Sequence, residues 1–177
     1  AKELYMRGAL PTVVYGPGHA QPHSFYRVIP VRTPSHMLEA VLSEIKTESY
    51  SAAIFSAAVL DHVPASVSDT KLSSREPLRV DFVPTHKIVR EVDGVAKKPL
   101  YKIGFKLGWR QTAEALKQAG MEALETLRDQ VVVVNDLSQV TSYTHPAIIM
   151  DRGSQVSEVS TKREIIESLI KKLEHNV

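Results

Sequence analysis

The sequence predicts an α/β protein: a mostly parallel sheet covered by helices on both faces, in a three-layer stack. Three observations predict it. Short apolar runs alternate along the chain with longer segments of helical period. Two runs, YSAAIFSAAV at 50–59 and VVVVN at 131–135, are apolar on both faces, as central parallel strands are. The 177 residues suffice for one domain with a sizeable core, and no internal repeat or low-complexity tract divides them.

The elements follow in order. AKELYMRGA at 1–9 reads as the last turns of a helix stopped at Gly8, without an initiator Met or a preceding cap, so the chain is expected to begin within an element. PTVVYG at 11–16 is a strand ended by the turn residues Gly16, Pro17 and Gly18, and YRVIPV at 26–31 is a second strand. Thr33 caps a helix with Pro34 at its first position, and Met37, Leu38, Val41, Leu42 and Ile45 share one face. The run 50–59 is a central strand, 62–77 a loop, and LRVDFV at 78–83 an arm strand. PTHKIVREV at 84–92 holds a short helix, and LYKIGFKL at 100–107 is a strand. Residues 111–129 form a helix with Gly120 as a weak point or break. VVVVN is the clearest buried strand. AIIM at 147–150 and 155–159 form a closing hairpin around Asp151-Arg152-Gly153. A capping box, Thr161 to Glu164, opens a final helix that buries Ile165, Ile166, Leu169, Ile170 and Leu173.

Composition excludes several function classes. Hydrophobic residues make up 43% and charged residues 24%, and a formal charge of +2 points to no general nucleic-acid or anionic-membrane binder. No run reaches the 18 apolar residues of a membrane helix, and no signal peptide is visible. With no cysteine, disulfides, thiol nucleophiles and thiolate metal sites are ruled out, and a cytoplasmic location is expected. His19 and His23 are separated by Pro22 and have no third partner, so no metal site is expected. There is no P-loop, no G-x-G-x-x-G and no nucleophile elbow.

The candidate site residues share the carboxyl ends of the predicted strands, the edge where open α/β sheets hold ligands. Asp61 closes the 50–59 strand; its other reading is a turn residue bonding nearby backbone. Lys71 lies in the polar loop SVSDTKLSS, either as a solvated lysine or as a lid residue reaching an anion. Phe105 and Lys106 end one strand, and Asn135 and Asp136 end another. Phosphates, if bound, fall to backbone amides and isolated cations.

Across nearly the whole chain these segments resemble the phosphopantothenate–cysteine ligase (phosphopantothenoylcysteine synthetase) family. The resemblance is carried by RGALPTVVYGPG, SAAVLDHVP, TKLSS, FVPTHKIV, IGFKL, VVVVNDLS and STKREIIESLI. It implies a Rossmann-like sheet and a ligase of coenzyme A biosynthesis, joining 4'-phosphopantothenate and cysteine through an acyl-nucleotide. It also implies CTP or ATP as co-substrate with Mg²⁺, and a homodimer with an arm strand reaching across. Lys71 then corresponds to the family's lid lysine, as the catalytic residue. Ala57, Ala58, Asp61, Phe105, Lys106 and Asn135 correspond to nucleotide-binding positions. The family's first strand, glycine-rich turn and Asn-Arg-Ser-Ser-Gly segment are not found in residues 1–177. The family usually has Glu shortly after Gly-Phe, where Leu107, Gly108 and Trp109 stand here. Its two lysines before the Asn-Asp strand have only Arg128 in the corresponding stretch, and 142–146 lack its Asn. These departures keep open a second reading, a non-catalytic nucleotide-binding relative of the same fold.

Overall fold

A computed structural model describes residues 1–75 and 77–177. The elements run α1 (Lys2–Met6), β1 (Thr12–Tyr15), β2 (Arg27–Pro30), α2 (Pro34–Thr47), β3 (Ala52–Phe55), β4 (His62–Pro64), β5 (Phe82–Pro84) and α3 (Ile88–Glu91). They continue with β6 (Tyr101–Gly108), α4 (Ala113–Thr126), β7 (Val131–Asp136), β8 (Ala147–Asp151), β9 (Val156–Val159) and α5 (Lys162–Asn176). The main sheet has the order β3-β6-β7-β8-β9; β3, β6 and β7 are parallel, and β8 and β9 are antiparallel. β1 and β2 form a separate parallel pair, and β4 and β5 an antiparallel one.

Alternation along the strands sends successive side chains to opposite faces, and two layers of helix cover those faces. Ile103, Val131, Val133, Ala147 and Ile149 pack with Ile165, Leu169 and Leu173 of α5. On the other face, Val132, Val134, Ile148 and Met150 pack with Leu116, Ala123 and Leu124 of α4. Ala53 and Phe55 of β3 lie against a third cluster, in which α2 and α3 meet through Ile45, Ile88, Val92 and Leu100. The three-layer α/β fold is therefore as expected, with the sheet mixed rather than parallel throughout. β7 is buried along its whole length, as its unbroken apolar run requires.

The caps are where the sequence places them. Thr33 accepts from the His36 amide, with Pro34 opening α2. The Thr161 hydroxyl accepts from the Glu164 amide while the Glu164 carboxylate accepts from the Thr161 amide, completing the capping box of α5. Ile166 alone of the expected α5 stripe stays 41% exposed.

Three expectations are corrected. The 50–59 run is not a central strand: β3 stops at Phe55 and lies at the sheet's edge. Its pairing with β6 ends at Phe55↔Gly104, and β6 continues beside β7 alone. The arm strand is shorter than 78–83; among the described residues only Phe82–Pro84 pairs, with His62–Pro64, where the sequence predicts a loop. Finally, α4 runs unbroken through Gly120. A Cβ there would lie 2.7 Å from Met150 Sδ and 2.8 Å from Val134 Cγ2, so the glycine is the point of closest approach between helix and sheet.

Candidate functional site

The register of three parallel strands sets the site. Lys106 lies beside Val134, Leu107 beside Asn135 and Gly108 beside Asp136, so the β6 and β7 ends share one edge. β3 ends on the same side, and Ala57 and Ala58 follow it in an exposed stretch. Phe105 and Asn135 face the α5 side as diagonal neighbours, because odd residues of β6 and β7 point that way. Phe105 is partly buried against that core. Lys106 points to the opposite face and is exposed, so it is not brought together with Phe105 and Asn135.

Asp136 organises the edge. Its Oδ1 accepts from the amides of Arg110 at 3.0 Å and Ser138 at 2.8 Å, and from the Ser138 hydroxyl at 2.7 Å. Its Oδ2 accepts from the Gln111 amide at 2.7 Å. Burial raises its pKa, but the Ser138 hydroxyl and amide, with the Gln111 and Arg110 amides, outweigh burial and hold the carboxyl down to about 2. This charge ties the loop after β6 to the end of β7 through Arg110, whose φ of 52° lies in the left-handed region.

Asn135 is 7% exposed, and its Nδ2 lies 3.5 Å from His145 Nε2, at the outer limit of a hydrogen bond. Burial, then Lys162, lowers the His145 pKa, and its Nδ1 is buried without a partner among the described residues. Asn135 and Asp136 line a cavity of about 250 Å³ between the start of α4 and β8–β9, together with Ala113, Gln139 and Ser160. A larger open groove of about 580 Å³ lies at the ends of β1 and β2, lined by Tyr15, Gly16, Pro17 and Arg32. It touches none of the candidate site residues, whereas the smaller cavity holds Asn135, so the smaller cavity marks the candidate site.

Asp61 is not a strand-end residue. It lies in the stretch after β3, just before β4, and its Oδ1 is bonded by the Nζ of Lys87. That bond and the Lys87 charge hold its carboxyl below the usual range, with smaller contributions from His62 and Lys106. Lys87 was missed in the sequence, since 26 residues separate the pair and THKIV carries no recognisable spacing. Lys71 is exposed in a stretch without regular structure and makes no side-chain hydrogen bond or ion pair among the described residues.

A second buried charge cluster, also missed, sits near the opposite ends of the strands. Lys102 is 2% exposed and donates to Asp93 Oδ2 at 2.8 Å and to the Leu127 carbonyl at 3.0 Å. Asp129 is 1% exposed, and neither carboxylate oxygen has a hydrogen-bond partner among the described residues.

Among the described residues no group of three or more His, Asp or Glu could hold a metal ion, and no helix is long and apolar enough to cross a membrane.

Comparison with known proteins gives this geometry a context. The family model described as the DNA/pantothenate metabolism flavoprotein C-terminal domain matches residues 1–176. The chain is 30% identical over 175 residues to the coenzyme A biosynthesis bifunctional protein CoaBC of Thermococcus kodakarensis, covering 98% of this chain and 43% of that protein. It thus spans less than half the length of that relative. The crystal structure of the DNA/pantothenate metabolism flavoprotein from Streptococcus pneumoniae shares the fold at a TM-score of 0.85 and 23% identity, covering 98% of this chain and 84% of that one. A Cab2 mutant in complex with phosphopantothenate-cysteine shares it at a TM-score of 0.68 and 22% identity, covering 85% of this chain and 53% of that one.

Proposed function

The chain belongs to the DNA/pantothenate metabolism flavoprotein C-terminal domain family, and we propose that it is the synthetase part of a phosphopantothenate–cysteine ligase. It joins 4'-phosphopantothenate to cysteine in the cytoplasm, at the expense of CTP or ATP. The observation that supports this reading most is that Phe105 and Asn135 lie on one face as diagonal neighbours, near the carboxyl edge where β6 and β7 end. The described residues form one synthetase-like domain.

The phosphopantothenate carboxylate attacks the α-phosphorus, the bond to pyrophosphate breaks, and an acyl-nucleotide anhydride forms. The cysteine amine then attacks the acyl carbon, loses a proton and releases the nucleoside monophosphate. The protein's task is to position these groups, offset charge and exclude water. Phe105 flanks the base, and the Asn135 amide, rooted in a buried strand end, bonds the nucleotide. Ala57 and Ala58 permit close backbone approach. Lys71, unpaired among the described residues and on a loop, swings in to balance the phosphate charge. Lys106 adds positive potential from the other face.

The donor set fits a magnesium ion that arrives with the nucleotide, since such ions are held by one or two carboxylates plus phosphate oxygens. Asp136 has both oxygens occupied by amides and a hydroxyl, whereas exposed Asp61, with Oδ1 bonded by Lys87, would offer its other oxygen for that role. Bound magnesium would neutralise charge on the leaving pyrophosphate.

We also propose a homodimer. Leu60, Val67, Leu72, Leu78 and Phe82, all more than half exposed, give the 60–84 segment an apolar surface suited to a second copy.

Incubating the full-length protein with phosphopantothenate, cysteine, magnesium and CTP or ATP tests the ligase reading by pyrophosphate release. Release with either nucleotide is expected. Nucleotide binding with no release from either would instead favour the non-catalytic relative. With activity in hand, Lys71→Ala is expected to slow release at least about tenfold, roughly 1.4 kcal/mol of transition-state stabilisation. An unchanged rate would remove Lys71 from the mechanism.

A further inference from the structure

We propose that Lys87 is a positioning residue for Asp61: rooted at the start of α3, it holds the Asp61 carboxylate in place at the ligand-binding edge. The reaction this serves is the ligation proposed above, while the geometry stands apart from it.

Asp61 lies past the end of β3, in a stretch whose Ala57, Ala58 and Leu60 are exposed. Its own strand does not fix it. The fixing contacts come instead from the chain around β5 and α3. The Thr85 amide donates to the Asp61 carbonyl at 2.9 Å, and the Thr85 hydroxyl donates to the Leu60 carbonyl at 2.6 Å. The neighbouring His62 pairs with Pro84. Lys87 then bonds Oδ1, and Oδ2 makes no protein bond among the described residues. One oxygen is held and the other is open to a ligand.

Lys87 is well rooted for this work. Its carbonyl accepts from the Arg90 amide at 2.8 Å, opening α3. The next residue, Ile88, is buried, and Val92 is fully buried in the core shared with α2. The lysine stem therefore starts from a fixed point, and its bond to Oδ1 fixes the carboxylate beyond what the Thr85 contacts to the backbone do. An exposed ion pair contributes little to stability, so placement of the carboxylate is the role that would repay this contact. A reacting group displaced by about 1 Å can lose about a hundredfold in rate, which sets the scale of effect available to such a contact.

The test uses the full-length protein and pyrophosphate release with phosphopantothenate, cysteine, magnesium and the accepted nucleotide. Lys87→Ala is expected to lower kcat/KM at least about tenfold, and Lys87→Arg to restore most of it. In an Asp61→Asn background the same Lys87→Ala change should have little further effect, because the pair acts as a unit. A merely structural lysine would give additive losses in the two backgrounds and a lowered melting temperature. Additive losses, or an unchanged rate in Lys87→Ala, overturn the positioning role while leaving the ligase reading standing. Wild-type protein that releases no pyrophosphate removes both. NMR titration of the Asp61 carboxyl reads the pair without the reaction: it should titrate below the ordinary aspartate range in the wild type and return to it in Lys87→Ala. A titration unchanged by the substitution also overturns the assignment.

Discussion

Two aspartates in this chain are pushed in opposite directions by their surroundings. Asp136 is surrounded by donors and is held down to about 2. Asp129 has none, and burial pushes it up to about 6 against the pull of Lys102 and Arg152. Gly104 makes room for it, since a Cβ there would overlap Asp129 Oδ2. The raised pKa means the folded protein binds a proton that the unfolded chain has lost. The resulting stability is fully present below the ordinary value of 3.8 and disappears as pH rises through about 6. At about 1.4 kcal/mol per pH unit this window spans up to about 3 kcal/mol. Asp129→Asn carries no titrating proton, so its melting temperature should gain on the wild type between pH 4 and 7.5. A difference that stays constant across that range in thermal melts would show that Asp129 keeps its charge when folded.

At the scale of elements, α4 shows how a residue type misleads when its neighbours are unknown. Gly120 looks like a helix break because glycine costs about 1 kcal/mol relative to alanine in an isolated helix. Here it lies under Met150 and Val134, where the sheet comes too close for a side chain. Gly120→Ala should therefore destabilise by about 1–3 kcal/mol through overpacking, despite the better helix propensity. A chemical denaturation midpoint that rises in the variant would contradict this packing. The capped helices and the VVVVN strand were legible because their signals are local: Thr33-Pro34, Thr161 with Glu164, and an unbroken apolar run. The end of β3 was not legible, because the sequence stays apolar through Val59 while pairing with β6 stops at Phe55. The same limit applies to the site. Asn135 and Asp136 stood out as strand ends and are; Phe105 and Lys106 do not end β6, which runs on to Gly108 because its pairing with β7 continues to Asp136. Lys87, Lys102 and Asp129 owe their importance to contacts 26 and 9 residues away, or to contacts that are missing altogether, and no spacing encodes these.

For the whole molecule, the unequal covering of the surface leads to an assembly. The main sheet is closed on both faces by helices, so its core needs no partner. The segment from Leu60 to Pro84 differs: among the described residues β4 and β5 pair only with each other, and Leu60, Val67, Leu78 and Phe82 each remain at least 60% exposed. An isolated two-stranded hairpin is marginally stable in water, so a surface that covers this one adds order as well as contact. A second copy is the proposed cover, and a stable dimer needs about 800 Å² from each partner. The protein should then sediment at twice its chain mass. Phe82→Asp places a charge within that surface, and should shift the species toward the monomer at micromolar concentration while leaving the far-UV spectrum intact. Lys71 lies within the same segment, so loss of the dimer should also reduce pyrophosphate release. Sedimentation as a monomer in the wild type, or a dimer untouched by Phe82→Asp, would place the contact elsewhere or remove it. If the dimer dissociates and release continues at the wild-type rate, then the loop carrying Lys71 closes without help from the second copy.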